Sequence, residues 1–152
     1  MAIEAPISKF KKNNLKIYIF VCIAIALWCA YDGYFNETWI QEHTDAEGNA
    51  ETYLVFNRNA PYYFISGAIL LGVYLYFIRN KKIVADENRL TAGKISISYD
   101  SIDKIDKTHF DSKGFFTIIY KDSNGSEAKY KVNDRNYDNL AAVLEHLVAQ
   151  IT

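Results

Sequence analysis

The sequence predicts a membrane α-helical hairpin of two transmembrane helices, followed by a small α+β domain. Three observations predict it: two long apolar stretches without charge, an uneven distribution of charge, and short alternating segments that end in an amphipathic helix. These patterns divide the chain into five regions. They are a basic cytoplasmic N-terminus (1–14), a first transmembrane helix (15–35), an acidic extracytoplasmic loop (36–60), a second transmembrane helix (61–79) and a cytoplasmic domain (80–152).

The two apolar stretches have the length of transmembrane helices. Residues 17–31 and 61–78 contain no charged side chain. With its apolar flanks the first reaches about 20 residues, enough to cross a hydrocarbon core of about 30 Å. Pro61 suits the first turn of a helix, where its missing N–H costs nothing. A cleaved signal peptide is the alternative for the first stretch, but no Ala-x-Ala site precedes the acidic loop.

The charges predict the orientation of the hairpin. Residues 1–16, 32–60 and 79–152 carry net charges of +3, −5 and +1. The positive-inside rule therefore places both termini in the cytoplasm, and we expect a multi-pass membrane protein with the lipid bilayer as a partner. The basic residues beside the two helices are interpreted as membrane-interface anchors: Lys11, Lys12, Lys16, Arg79, Lys81 and Lys82.

Small residues at four-residue spacing predict that the two helices pack on each other, because small side chains let helix backbones approach. These residues are Cys22, Ala26 and Ala30 on the first helix, and Ala68 and Gly72 on the second. Neither stretch contains Asp, Glu, His, Lys or Arg. The absence of ionisable groups argues against a proton relay, an ion path or a transporter.

The acidic loop has β-type composition on either side of a turn. Residues 38–43 and 51–57 flank the turn-rich stretch 45–49, which predicts a short β-hairpin. A short interfacial helix around 50–56 is the alternative. We expect the aromatic side chains of this loop to contact the outer bilayer surface or a partner subunit: Trp39, Tyr53 and Phe56.

The C-terminal region predicts short strands followed by one helix. The strands are expected at 82–85, 88–91, 94–99, 105–110, 115–121 and 127–132, with a short helical turn at 101–105 and an Asn124-Gly125 hairpin turn. The apolar residues from Leu140 to Ile151 follow helical spacing, and Asn136 or Asp134 can supply the N-cap.

This order of elements resembles the pleckstrin-homology-like (PH-like) domains of bacterial membrane proteins. In those proteins a helical hairpin precedes a stretch similar to Ile83–Leu90 and a block similar to residues 101–106. Over residues 80–152 the resemblance implies an antiparallel β-barrel or sandwich of about six to seven strands, capped by the C-terminal helix. Lipid-binding members concentrate Lys and Arg in the first hairpin loop, which here is half acidic (86–89). No specific phosphoinositide site is therefore expected.

The sequence predicts no catalytic, cofactor or metal site. The three histidines are scattered, the only cysteines lie in the first apolar stretch, and no Gly-rich phosphate loop or basic aromatic face for nucleic acid occurs. We expect a non-catalytic interaction module that acts as an adaptor, scaffold or accessory subunit of a larger inner-membrane complex, with a protein partner or a second copy of the chain. A membrane sensor or regulator that signals through the hairpin is the alternative.

Overall fold

The computed structural model describes residues 2–151, and its contacts divide the chain into two units. The sheet unit comprises residues 1–12 and 77–152, and the helical unit comprises Asn13–Tyr76. The helical unit is therefore inserted into the sequence of the sheet unit.

Two helices dominate the chain between residues 9 and 78. Helix α1 runs over Lys9–Tyr34 and helix α3 over Thr52–Ile78, and the short helix α2 lies between them at Glu37–Glu42. Both α1 and α3 are long and apolar enough to cross a membrane. Only 17% and 11% of the residues in their most apolar windows are buried. This low burial differs from that of a core helix of a soluble protein, which is buried when it is apolar all round.

The predicted β-hairpin in the acidic loop is wrong. Residues 38–42 lie in α2, where the side chain of Asn36 caps the helix by accepting a hydrogen bond from the Trp39 N–H at 3.3 Å. Residues 52–57 begin α3, close to the alternative prediction of a helix around 50–56. A single isolated bridge, Thr44 with Ala50, joins the two arms. The β-type composition predicted a strand, but tertiary packing determines the structure of such segments. Here Leu54 is fully buried within the helix.

The sheet unit contains two antiparallel sheets. The first has the order β1-β2-β3-β4 and the second the order β5-β6-β7. The strands are β1 (Ile3–Pro6), β2 (Lys82–Ala85), β3 (Arg89–Ala92), β4 (Ile95–Ser98), β5 (Ile102–Asp106), β6 (Phe115–Lys121) and β7 (Glu127–Asn133). A 3-10 turn at Tyr99–Ser101 joins the sheets, and the short helix α4 (Phe110–Lys113) lies between β5 and β6.

Strand β1 was not predicted from the sequence. It pairs antiparallel with β2, with Glu4 opposite Val84 and Ala5 opposite Ile83. Ile3, Ala5 and Ile7 alternate as a strand requires, but Pro6 and the following lysines hid the pattern. A proline is tolerated here because β1 is an edge strand.

The predicted strand at 105–110 is also wrong. Strand β5 ends at Asp106, whose carboxylate accepts a hydrogen bond from the Thr108 N–H at 3.1 Å and so turns the chain out of the sheet. Helix α4 follows, and its C-cap residue Gly114 adopts a left-handed conformation with φ of 69°.

The last helix, α5 (Leu140–Ile151), covers the core of the sheet unit with its apolar face. Its predicted N-cap is wrong, because the helix begins after Asn139 and not after Asn136 or Asp134. The core contains Ala5, Ile83, Ala85, Leu90, Ala92, Ile97, Tyr99, Ile102, Phe116, Ile118, Val132, Leu140, Val143, Leu144 and Leu147. The structure thus confirms two long apolar helices, antiparallel sheets and a C-terminal helix.

Candidate membrane interface and interaction surfaces

The first turn of α1 is fixed to the β7–α5 loop, which we define as residues 134–139. Ser8 is buried, and its hydroxyl donates to the Arg135 carbonyl at 2.5 Å and accepts from the Lys11 N–H at 3.1 Å. The Ser8 N–H donates to the Asn136 carbonyl at 2.9 Å. Ser8 is therefore the N-cap of α1 and also links that helix to the loop.

Further hydrogen bonds fix the same loop to β1. The Asp138 carboxylate accepts from the Lys9 N–H at 3.0 Å, and the Asp138 N–H donates to the Pro6 carbonyl at 2.9 Å. The side chain of Asn139 donates to the Glu4 carbonyl at 3.1 Å. An acidic side chain at the N-terminus of a helix is favourable, because unpaired N–H groups make that end positive. The end of the sheet unit from which α1 leaves is thus held by several bonds.

The residues predicted as membrane-interface anchors lie on both sides of this junction. The ammonium of Lys11 donates to the side chain of Asn136 at 3.1 Å, and Lys82 forms an ion pair with Glu4. The carbonyl of Lys81 accepts the N–H of Ile7 at 3.1 Å, so the chain entering α1 lies beside the chain leaving α3. Lys12 is half-buried, whereas Lys16, Arg79, Lys81 and Lys82 are exposed.

Within the helical unit, the closest backbone approach of a glycine is at Gly33. A Cβ added there would lie 3.0 Å from the Asn57 carbonyl carbon and oxygen. The guanidinium of Arg58 donates to the Gly33 carbonyl at 3.1 Å, and the Tyr34 hydroxyl donates to the Arg58 carbonyl at 3.0 Å. Pro61 lies inside α3 and not in its first turn as predicted, and its missing N–H leaves the Asn57 carbonyl without its helical donor. Gly33 packs against that carbonyl.

The residues predicted for helix packing differ in burial. Ala26 and Ala68 are buried, and Cys22 and Ala30 are half-buried. A Cβ added at Gly72 would meet no atom within 4 Å. Gly72 is therefore not a point of close approach within one chain, and Gly33 takes that role.

The aromatic residues of the outer segment form a small cluster. The rings of Trp39 and His43 stack with centroids 3.9 Å apart, and the ring of Tyr53 meets His43 edge-on at 6.1 Å. The Trp39 indole nitrogen is buried without a hydrogen-bond partner in the described part of the chain. Tyr53 and Phe56 are 69% and 58% exposed. Of the three predicted contact residues, these two present most of their surface outward.

A tight turn orders the rest of this segment. The Asp45 carboxylate accepts the N–H groups of Asn49 at 2.7 Å and Glu47 at 2.9 Å. The hydrogen bonds from Asn49 and Glu47 lower the pKa of Asp45, because they stabilise its charged form. The outer segment is therefore a structured turn and helix rather than an extended linker.

Two tyrosines of the sheet unit have raised pKa values. Burial raises the pKa of Tyr99 to about 12, and the nearby Asp86 charge adds to this shift. The Tyr99 hydroxyl donates to the Asp86 carbonyl at 2.7 Å. Burial likewise raises the pKa of Tyr130 to about 12, with a contribution from Tyr137. Both side chains pack with the core, so the shifts reflect structure rather than an assembled reactive group.

An open cleft of about 630 Å³ lies between the β5–α4 connection and α5. Phe110, Ala141 and Leu144 are its apolar residues, and charged or polar side chains complete its lining: Lys107, Thr108, Asp111 and Glu145. Over residues 2–151, no group of three or more His, Cys, Asp or Glu is arranged to hold a metal ion.

The chain is a two-helix hairpin inserted into a small domain of antiparallel sheets. Comparison with protein-family models, with curated proteins and with solved structures gives no match. Function is therefore inferred from the residues of the chain itself.

Proposed function

We propose that this protein is a non-catalytic interaction module, anchored by two transmembrane helices in a bacterial inner membrane, that serves as an adaptor, scaffold or accessory subunit of a larger complex. One observation carries the proposal. The strand before the first apolar helix pairs with the strand after the second, so one folded unit anchors both ends of the apolar hairpin.

The exposure of the helices supports a membrane environment. The large apolar side chains that are exposed fall between residues 10 and 77, apart from Ile95 and Ile151. Exposed apolar surface of this extent is costly in water at about 25 cal/mol per Å² and neutral in hydrocarbon. The pairing of β1 with β2 also argues against a cleaved signal peptide, since cleavage would remove an edge strand from the sheet.

The same pairing supports a location of both helix ends on one side of the membrane. This topology agrees with the positive-inside rule, which places the basic flanks in the cytoplasm and the acidic segment between the helices outside. The two lines of argument are independent, because one uses backbone pairing and the other uses charge.

A PH-like domain is the fold class that we propose for the sheet unit. Six strands after the hairpin, arranged in two antiparallel sheets and followed by one C-terminal helix, support this assignment. Here the first sheet gains a further edge strand, β1, from the N-terminal side of the hairpin. A protein partner or a second copy would bind either this unit or the exposed Tyr53 and Phe56 of the outer segment.

The topology can be tested by single-cysteine labelling. In a chain with Cys22 and Cys29 replaced by alanine, Glu47→Cys reports on the outer segment and Glu127→Cys on the β6–β7 hairpin; both positions are exposed. A membrane-impermeant maleimide on intact cells is expected to label Glu47→Cys alone. Labelling of Glu127→Cys before lysis would contradict the orientation.

The role as an interaction module is tested by gentle detergent extraction from the native membrane, size-exclusion chromatography and mass spectrometry. We expect a particle larger than one chain with reproducible partners or copies. A lone monomer would overturn the role while leaving the topology intact.

A sensor or regulator is the second candidate. Helix α1 follows β1 and helix α3 precedes β2, so the outer segment is joined to the sheet unit by one helix on each side. Replacement of residues 43–51 by a Gly/Ser linker should abolish signalling in that case, whereas an adaptor that binds through the sheet unit would keep its partners.

A further inference from the structure

The β7–α5 loop and the start of α1 form a cleft of about 540 Å³ that is lined by Phe10, Asp134 and Arg135. Phe10 is 60% exposed on the first turn of α1, and Arg135 is exposed on the loop. The hydrogen bonds of Ser8 to Arg135 and Asn136 fix these two elements against each other. These bonds therefore hold the backbone segments that carry Phe10 and Arg135 beside each other.

The charge of Arg135 is available at this cleft. No ion pair of Arg135 occurs within the described residues 2–151. The neighbouring Asp134 carboxylate turns toward Gly114, where it occupies the position that a Cβ would take. Arg135 is therefore the basic group of this cleft, and an anion can approach its exposed guanidinium.

The position of Phe10 along α1 corresponds to the depth of lipid headgroups. Phe10 precedes Leu15, where the predicted span begins, by five residues. At 1.5 Å per residue this is about 7.5 Å along the helix. The headgroup layer on each side of the hydrocarbon core is about 5–8 Å thick. If α1 spans the membrane, Phe10 therefore lies at the depth of the headgroup phosphates.

We propose that Phe10 and Arg135 form a binding site for the headgroup of an anionic phospholipid. Arg135 binds the phosphate, for which a planar guanidinium is suited, and the Phe10 ring enters the interface beside it. The site rests on the proposed membrane anchoring. It is separate from the first hairpin loop (86–89), whose two acids disfavour an anion.

The test compares lipid binding by the full-length chain in a neutral detergent, measured by native mass spectrometry. The probes are phosphatidylglycerol and phosphatidylcholine. The test variant is Arg135→Gln. The control is Arg89→Gln, which removes an exposed arginine at the first hairpin. We expect phosphatidylglycerol to bind more tightly than phosphatidylcholine. Arg135→Gln should weaken that binding about fivefold, equivalent to about 1 kcal/mol, and Arg89→Gln should leave it unchanged.

Three results would overturn the site: equal binding of the two lipids, no effect of Arg135→Gln, or an equal effect of both variants. Displacement of phosphatidylglycerol by millimolar inorganic phosphate would reassign the cleft to free phosphate. Release of the chain from membranes by alkaline carbonate is a separate outcome, since it would refute the membrane anchoring itself. Phe10→Ala, with circular dichroism as a check on folding, should weaken phosphatidylglycerol binding without changing the preference over phosphatidylcholine.

Discussion

The sheet unit buries its large apolar side chains, whereas the helical unit exposes many of its own. In the sheet unit, Phe116, Ile118 and Leu147 are completely buried between the sheets and α5. In the helical unit, Phe20 and Leu70 are 72% and 71% exposed. The first arrangement derives its stability from the removal of apolar surface from water, whereas the second requires a surrounding that is itself apolar. The sheet unit is therefore suited to water, whereas the apolar surface of the helical unit is suited to hydrocarbon.

The strongest test of this contrast compares two phenylalanines. Phe116→Ala removes a fully buried ring and should lower the free energy of unfolding of the sheet unit by about 3–5 kcal/mol. Phe20→Ala should change the stability in detergent by less than about 0.5 kcal/mol, because detergent already covers that ring. Denaturant unfolding in a mild detergent, followed by tyrosine and tryptophan fluorescence, measures both. Similar losses for the two variants would refute the contrast.

A second test concerns the contact inside the helical unit. Gly33→Ala places a methyl group 3.0 Å from the Asn57 carbonyl and should cost about 1–3 kcal/mol, because backbone cannot give way as a side chain can. Gly72→Ala is the matched control and should be neutral or stabilising, since its Cβ would meet nothing within 4 Å. Titration with a denaturing detergent gives both values. A larger loss of stability for Gly72→Ala than for Gly33→Ala would show that the helices pack at Gly72, as the sequence predicts, and not at Gly33.

A third test sharpens the junction between α1 and the loop. Ser8→Ala removes the N-cap hydrogen bond and the bond to the Arg135 carbonyl, and should destabilise the sheet unit by about 1 kcal/mol. Ser98→Ala, at an exposed position of β4, is the control with little expected change. Hydrogen exchange at residues 134–139 should accelerate in Ser8→Ala alone.

The last test concerns a pH dependence of the sheet unit that is absent at neutral pH. The folded pKa of Tyr99 is raised from 10.0 to about 12. The unfolded tyrosine therefore ionises first, so the contribution of Tyr99 is complete below pH 10 and is lost as the pH rises toward about 12. Tyr99→Phe should flatten the fall of unfolding free energy across that interval. An unchanged slope would mean that Tyr99 ionises as easily in the folded chain as in the unfolded one.

Local patterns in the sequence were sufficient for much of the fold. The two apolar stretches, the alternating residues of β2, β6 and β7, and the helical spacing of α5 each carry their own signal, because burial imposes a period of 2 or 3.6 residues. Strand β2 (82–85) and strand β6 (115–121) have the predicted bounds.

The error at 105–110 was local, because Asp106 turns the chain, but other errors arose where distant residues decide the structure. Strand β1 exists because β2, some eighty positions later, offers it an edge, and no local pattern reports that pairing. Residues 52–57 favour a strand by composition, yet they extend α3 because Leu54 is buried within the helical unit. Phe10 and Arg135 are far apart in sequence, and hydrogen bonds between distant residues, such as those of Ser8, bring their segments together. The candidate lipid site therefore could not be predicted from the sequence.

The β1–β2 pairing has a consequence for how the protein is made. Strand β1 is synthesised first but acquires its partner only after both apolar helices and residues 79–85 have followed. A chain in which just one helix entered the bilayer would leave β1 and β2 on opposite sides, with the edge of β2 open and Ala5 missing from the core. In the proposed topology, completion of the sheet therefore requires the insertion of both helices, and a chain with one inserted helix would leave β2 as an unpaired edge.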